Sequence, residues 1–94
     1  MSTVTITGTF KDSNNDNVVL EVYTTDPNGY DFRKSYPRSF SEALNDLVAG
    51  ESYYVNITGH TTGSFDFSID GDTDDTVSKT YTNFFMDGFN FTAK

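Results

Sequence analysis

The chain has 94 residues and a formal net charge of −8 at pH 7, which is the size of one domain and works against binding to nucleic acid or an anionic membrane. It contains no cysteine, which excludes disulfide bonds and thiol chemistry. It has no basic leader and no run of about 18 apolar residues. We therefore expect one soluble domain over residues 1–94, without a signal peptide or transmembrane segment, whose compartment stays open.

The composition predicts an all-β fold. Nine Phe and six Tyr residues supply most of the apolar surface, and threonine is frequent whereas alanine and leucine are scarce. β-branched and aromatic side chains fit a pleated sheet, and few strong helix formers are present. An aromatic core with little or no helix follows.

The first half of the chain alternates between strand and turn patterns. Apolar residues occupy every second position in Thr3–Phe10 and in Asn17–Thr25, which predicts two strands with one buried face each. The sequence DPNG at 26–29 predicts a tight turn. Tyr30–Phe40 is predicted as an edge strand, because Pro37 cannot donate a hydrogen bond to a neighbouring strand.

The second half begins with a segment that fits helix. Ser41–Val48 has the spacing of one short helical turn, with Ser41 as its cap. Leu47–Asp70 contains two alternating runs around a glycine-bounded polar segment, 59–63, which predicts a β-hairpin. Thr76–Asn83 and Phe84–Thr92 follow, and the aromatic residues of the last segment are expected to close the core.

Taken together, these segments predict about seven strands, with turn signals every 8–12 residues. This pattern is typical of a single antiparallel β-sandwich, immunoglobulin-like or transthyretin-like. Within it, Leu47–Gly59 (LVAGESYYVNITG) resembles the L-x-x-G-x-x-Y-x-V-x-V-x-G signature of transthyretin-like, carboxypeptidase-regulatory-like and Cna-B-type sandwich modules. The resemblance implies a structural or binding unit of a cell surface, an appendage or a multidomain enzyme.

Two Asp-rich segments are the candidate metal site. Carboxylate and amide oxygens in tight turns can bind Ca²⁺, and the candidate ligands are Asp70, Asp72, Asp74, Asp75, Asp12, Asn14 and Asp16. Neither segment is an EF-hand, since the sixth position is Asp75 or Asn17 rather than glycine. A looser calcium site shared by the two segments and a pair of solvated turns both stay open. If 30–40 is one strand the segments share one end of the domain, whereas a break at Pro37 separates them.

Two groups of side chains are candidate contact surfaces. Half of the six basic residues lie close together beside two tyrosines, and this candidate binding group is Arg33, Lys34, Arg38, Tyr30 and Tyr36. They either protect an edge strand from pairing or contact a partner protein or a second copy. Tyr23, Tyr54 and Tyr81 lie opposite the predicted core positions and could stack on sugars, although half-burial of such tyrosines is equally common.

No arrangement of residues points to catalysis. His60 is the single histidine, and its predicted place in a turn gives it no supporting group for a nucleophile or a metal. The leading hypothesis is a non-catalytic structural or protein-binding module, such as a component of a surface or viral assembly, with a protein partner or its own copy. The alternative is a calcium-assisted carbohydrate-binding module. No cofactor is expected apart from the Ca²⁺ of that alternative.

Overall fold

In a computed structural model, which describes residues 1–11, 17–26 and 29–94, the described part of the chain forms strands and no helix. The strands are β1 (Ser2–Phe10), β2 (Asn17–Tyr23), β3 (Asp31–Tyr36), β4 (Phe40–Leu47), β5 (Ser52–Gly71) and β6 (Val77–Thr92). The all-β prediction is confirmed. The described residues include no helix that is long and apolar enough to cross a bilayer.

All pairings are antiparallel, and β5 lies at the centre. One edge of β5 pairs with β6 along almost its whole length, and the other edge pairs with β2 and then with β1. Next to these, β3 pairs with β2 and β4 pairs with β1. The result is one long sheet with β3 and β4 along one edge and β6 along the other.

The predicted hairpin at Leu47–Asp70 is wrong, because Ser52–Gly71 is a single strand of 20 residues. Gly59 does not reverse the chain. A Cβ at this position would lie 2.5 Å from the carbonyl oxygen of Asn17, so the glycine allows the neighbouring strand β2 to approach closely. One strand therefore replaces the two expected, and the described residues form six strands rather than about seven.

The predicted helical turn at Ser41–Val48 is also wrong. These residues lie largely in β4, where Val4 pairs with Leu44 and Ser2 pairs with Leu47. Between these two pairs β1 advances by two residues and β4 by three. The extra residue in β4 is a β-bulge. Because of the bulge, Leu44 and Leu47 are both buried although they are three positions apart, which is also the spacing of residues on one face of a helix.

The long sheet bends in its middle and curls into a half-barrel. The bend lies at an irregularity between Thr61 and Ser64 in β5, opposite Asn83 of β6, whose φ of 59° is in the left-handed region. Because of the bend the far ends meet, and Thr73 forms an isolated bridge with Ala93. The ring centroids of Phe67 and Phe89 are 5.6 Å apart, although the two residues pair with different parts of the sheet.

The concave side of this sheet holds one core, as the alternating patterns predict. Each strand turns every second side chain inward, and most of these side chains are almost fully buried. The fully buried set is Val4, Ile6, Val18, Leu20, Val22, Leu47, Tyr53, Val55, Ile57, Phe65, Phe67, Ile69 and Phe91. Aromatic rings fill the middle, for example Phe65 and Phe85 with centroids 5.2 Å apart.

Candidate functional site

The four aspartates of segment 70–75 have separate partners. Asp72 accepts a hydrogen bond from the backbone N–H of Thr3 at 2.8 Å, and Asp75 accepts one from Thr92 at 2.9 Å. Asp74 pairs with Lys94 at 3.0 Å, and Asp70 accepts a bond from the N–H of Gly71. These contacts join the turn after β5 to both chain ends and so hold the curled sheet closed.

The described part of the predicted calcium site does not bring its carboxylates together as a metal site. Within residues 1–11, 17–26 and 29–94, no group of three or more carboxylate or imidazole side chains is placed to hold a metal ion. Asp12, Asn14 and Asp16 lie outside the described residues, so calcium binding stays a prediction.

The described neighbours of the two acidic segments lie far apart. Asp72 adjoins Thr3 near the start of β1, whereas Lys11, just after β1, donates its N–H to the carbonyl oxygen of Ser64. Thr3 and Phe10 are seven positions apart in an extended strand, or roughly 23 Å. Pro37 does interrupt the strand predicted at Tyr30–Phe40, which is the condition under which the acidic segments were expected to separate.

The candidate binding group around Arg33 is divided by the fold. Tyr36 is a core residue, 7% exposed, and its ring stacks on Phe40 with centroids 3.8 Å apart. Lys34 lies 3.7 Å from Glu42. Arg33 and Arg38 are exposed, and Tyr30 is half-buried, with its ring edge-on to Tyr53.

Arg33, Lys34 and Tyr36 lie on an edge strand, as predicted, but this strand is shorter than the predicted Tyr30–Phe40 and leaves Tyr30 before it and Arg38 after it. We call the outer sides of β3 and β4, with the connection between them, the charged edge. It carries five charged strand residues besides Pro37 and Arg38, and these are Asp31, Arg33, Lys34, Glu42 and Asp46. Charges and proline on an exposed edge oppose pairing with another chain.

The three candidate stacking tyrosines do not form one surface. Tyr23 and Tyr54 are cross-strand partners on the convex face, with ring centroids 5.7 Å apart. The amide of Asn56 lies beside them and donates to Glu21 at 3.4 Å. Tyr81 lies elsewhere, half-buried against Phe85 on the concave side.

The opposite edge of the sheet differs in composition. We call the side of β6 that faces away from β5 the open edge. Among its 16 residues (VSKTYTNFFMDGFNFT) β6 has no proline and only two charged side chains, Lys79 and Asp87. No other described strand pairs with this edge.

The direction of the backbone groups on the open edge follows from hydrogen bonds near its end. Ala93 donates its N–H to Glu51 and accepts from Gly50, so its polar groups point towards the β5 side. Thr92 points the other way and donates to Asp75. Because this direction alternates along a strand, Phe84, Met86, Gly88 and Asn90 also direct their N–H and C=O groups to the open edge.

Two large apolar side chains lie on the convex face of this edge. Phe84 is 83% exposed and Met86 is 82% exposed. The Phe84 ring lies beside that of His60, with centroids 4.4 Å apart. His60 is therefore a strand residue and not the turn residue that was predicted.

The exposure of Met86 contradicts the expectation that the last aromatic segment closes the core. Phe85 and Phe91 do so, and Phe89 packs against the core, but Phe84 and Met86 occupy the alternate positions. Strand alternation about Phe85 was the signal that could have placed them outside.

Asp87 connects the open edge to the bend. Its carboxylate accepts hydrogen bonds from the Tyr81 hydroxyl at 2.7 Å and from the N–H of Gly88 at 2.8 Å. These two bonds, that of Tyr81 first, hold the pKa of Asp87 below its usual value. Burial and the hydrogen bond to Asp87 raise the pKa of Tyr81.

No family model, curated protein or solved structure matches this chain. The function must be argued from the site itself.

Proposed function

We propose that this chain is a non-catalytic module that binds another protein through the open edge of β6. The observation that carries the proposal is the pair of side chains Phe84 and Met86, 83% and 82% exposed on a strand whose outer edge has no strand partner among the described residues. An extended segment of a partner would add to the sheet there, by β-strand addition.

Two kinds of interaction would hold such a partner. The outward N–H and C=O groups of β6 would bond to its main chain, which is the source of affinity in strand addition. Phe84 and Met86 would cover apolar side chains of the partner on the convex face. Large apolar side chains grouped at a surface are typical of interaction sites.

The charged edge supports the same proposal by contrast. There, charges and Pro37 oppose strand addition, whereas β6 carries only Lys79 and Asp87. The earlier resemblance of Leu47–Gly59 to sandwich modules of surfaces and appendages supports the same class of role. A component of a surface or viral assembly, joined to its neighbour through a shared sheet, fits this interpretation.

To test the proposal, peptides that bind the whole parent protein are selected from a random display library. Their affinities are then measured for the parent and for two variants of β6. Met86→Pro removes an N–H that faces the open edge and spares the bonds to β5, so it should weaken peptide binding at least about tenfold. Met86→Thr keeps the N–H and serves as the matched control. Selected peptides that bind Met86→Pro as well as the parent would overturn the proposal, as would a failure to select any peptide with a chain that sediments as a monomer.

A second candidate function, carbohydrate binding, is favoured by the convex face. Tyr23 and Tyr54 lie there beside a depression of about 500 Å³, lined by Glu21, Asn56, Thr58, Met86, Asp87 and Gly88. Aromatic rings next to amide and carboxylate groups suit a sugar. A glycan array with Tyr54→Ala as the comparison tests this candidate, and a blank array for the parent chain contradicts it.

The calcium-assisted form of this second candidate needs its own measurement. Each of the four described aspartates already has a hydrogen bond or ion pair through one carboxylate oxygen, so calcium would have to bind the remaining lone pairs or replace these contacts. A melting temperature that rises with Ca²⁺ and returns with EDTA would support calcium binding, and an unchanged melting temperature would contradict it.

A further inference from the structure

We infer that the partner of the open edge is a second copy of this chain, paired antiparallel about a two-fold axis at Asn83. The inference rests on the proposed function, since it names the occupant of the same edge.

The charges of β6 are complementary about Asn83. Lys79 and Asp87 are the same number of residues away from it on either side. An antiparallel two-fold pairing at Asn83 therefore places Lys79 of each copy opposite Asp87 of the other. An axis at position 87 would instead place the Asp87 side chains of the two copies opposite each other. Like charges directly opposite each other are destabilising.

The remaining negative charge of the molecule does not oppose this pairing. The net charge is −8, but Lys79 and Asp87 cancel within β6, so the surplus lies elsewhere. Four of the acidic residues lie in the turn at 70–75, whereas the charged edge is neutral because its three acidic and three basic side chains balance.

The exposed rings would cover each other in the same register. With the axis at Asn83, Phe84 lies opposite Thr82 of the other copy and diagonal to the other Phe84. Diagonal neighbours in an antiparallel pair are about 7–8 Å apart, within reach of aromatic side chains. A two-fold axis perpendicular to the sheet keeps both rings on the convex face, so the most exposed aromatic side chain gains a partner.

The ends of β6 set the length of this contact. Thr92 is already covered, because Asp75 accepts its N–H and Thr73 donates its hydroxyl to the Thr92 carbonyl oxygen. The pairing is therefore confined to the middle of β6, from about Ser78 to Gly88, which is symmetric about Asn83. Within it, the N–H of Gly88 must exchange its bond to Asp87 for one to the other copy.

Sedimentation of the whole protein over a concentration series tests the inference. We expect the parent chain to dimerise as concentration rises. Lys79→Asp makes both facing positions acidic and Asp87→Lys makes both basic, so each variant alone should associate at least about tenfold more weakly. An equimolar mixture of the two variants should recover the dimer, as should the double variant Lys79→Asp/Asp87→Lys.

Two further variants serve as charge-matched controls. Arg38→Asp and Asp31→Lys change the charge near the charged edge by the same amounts and should leave dimerisation unchanged. Because Asp87→Lys also removes the acceptor of Tyr81, circular dichroism must show that it is folded. If it is not, Asp87→Asn takes its place, and mixing it with Lys79→Asp should recover part of the association, because one Lys79–Asp87 pair then forms and no two acids face each other.

The outcomes separate this inference from the proposed function. A chain that stays monomeric at millimolar concentration, or charge variants that do not complement each other, would overturn the second copy as partner. If selected peptides still bind in a manner sensitive to Met86→Pro, the open edge remains a binding edge for a different protein. If the peptides also fail, both proposals are wrong.

Discussion

The two edges of the sheet turn the same corner in different ways. On the charged edge the chain breaks at Pro37, and β3 and β4 are separate strands. On the open edge β6 continues through the corner, with Asn83 in the left-handed region. Yet both corners have a tyrosine hydroxyl that donates to a carboxylate six residues later, Tyr36 to Glu42 at 2.5 Å and Tyr81 to Asp87 at 2.7 Å.

The comparison separates two tasks that an edge strand performs. The tyrosine–carboxylate bond holds the curvature, and both edges have it. Protection from pairing is a separate property that only the charged edge has, through Pro37 and its charges. The lack of proline and the few charges along β6 are what support the proposal that a partner pairs with this edge.

The largest expected effect comes from proline on β6. Phe85→Pro removes an N–H that faces β5 and a ring that is 8% exposed, so it should destabilise the domain by about 3 kcal/mol or more. Met86→Pro removes only an outward N–H and should cost about 1 kcal/mol or less. Urea denaturation of the two variants measures the difference. Equal losses would show that Met86 does not face the open edge.

The next largest loss of stability is expected when the hydroxyl of Tyr36 or of Tyr81 is removed. Tyr36→Phe and Tyr81→Phe each remove one hydrogen bond to a carboxylate, worth about 1–2 kcal/mol. Glu42 keeps Lys34 as a neighbour at 3.7 Å, whereas Asp87 keeps the N–H of Gly88 and the more distant charge of Lys79, so Tyr81→Phe should cost more. The urea midpoints of the two variants decide the order, and a larger loss for Tyr36→Phe would contradict this comparison.

A smaller effect is expected at high pH. Burial, together with hydrogen bonding to a carboxylate, raises the pKa of Tyr36 and of Tyr81 above 10.0, the ordinary value. The unfolded chain therefore loses these protons first, and stability that is fully present below pH 10 falls as the pH rises further. Unfolding measured at about pH 8.5 and 10.5 should show a decline that is shallower in the double variant Tyr36→Phe/Tyr81→Phe. An equally steep decline in that variant would assign the effect to other groups.

The smallest effect is expected in acid, at Asp87. Hydrogen bonds from Tyr81 and Gly88 hold the pKa of Asp87 below 3.8, its ordinary value. Its contribution to stability is present above that value and is lost as the pH falls through the folded pKa. Asp87→Asn should therefore lose less stability than the parent between about pH 5 and pH 3. Parallel urea midpoints for the two proteins over this range would contradict the expectation.

Much of the sheet is predictable from the sequence because burial alternates with the strand period. Val18, Leu20 and Val22 face the core as their pattern indicates. The errors arise where a local signal has a distant cause. Gly59 looks like a turn residue but accommodates the backbone of β2, and Leu44 and Leu47 have helical spacing because of a bulge against β1.

The candidate site is less predictable for a related reason. Local composition indicates that residues 31–36 form an edge strand, since Arg33, Lys34 and Pro37 are typical of one. That β6 forms the other edge depends on its pairing with β5 over the full length of both strands, which no local pattern contains. Strand alternation about Phe85 indicates which face Phe84 and Met86 occupy, but it does not show that this face lies beside an unpaired edge.

The length of β5 determines how the domain folds. This one strand belongs to both halves of the bent sheet, and without β5 only the separate β1–β4 and β2–β3 pairs would remain, so the domain should unfold as a single cooperative unit. Its partners are distant in sequence, as when Val4 pairs with Gly71. Such non-local pairing slows folding, so the chain should refold on the slow side for its size, after β5 has gained strands on both of its edges.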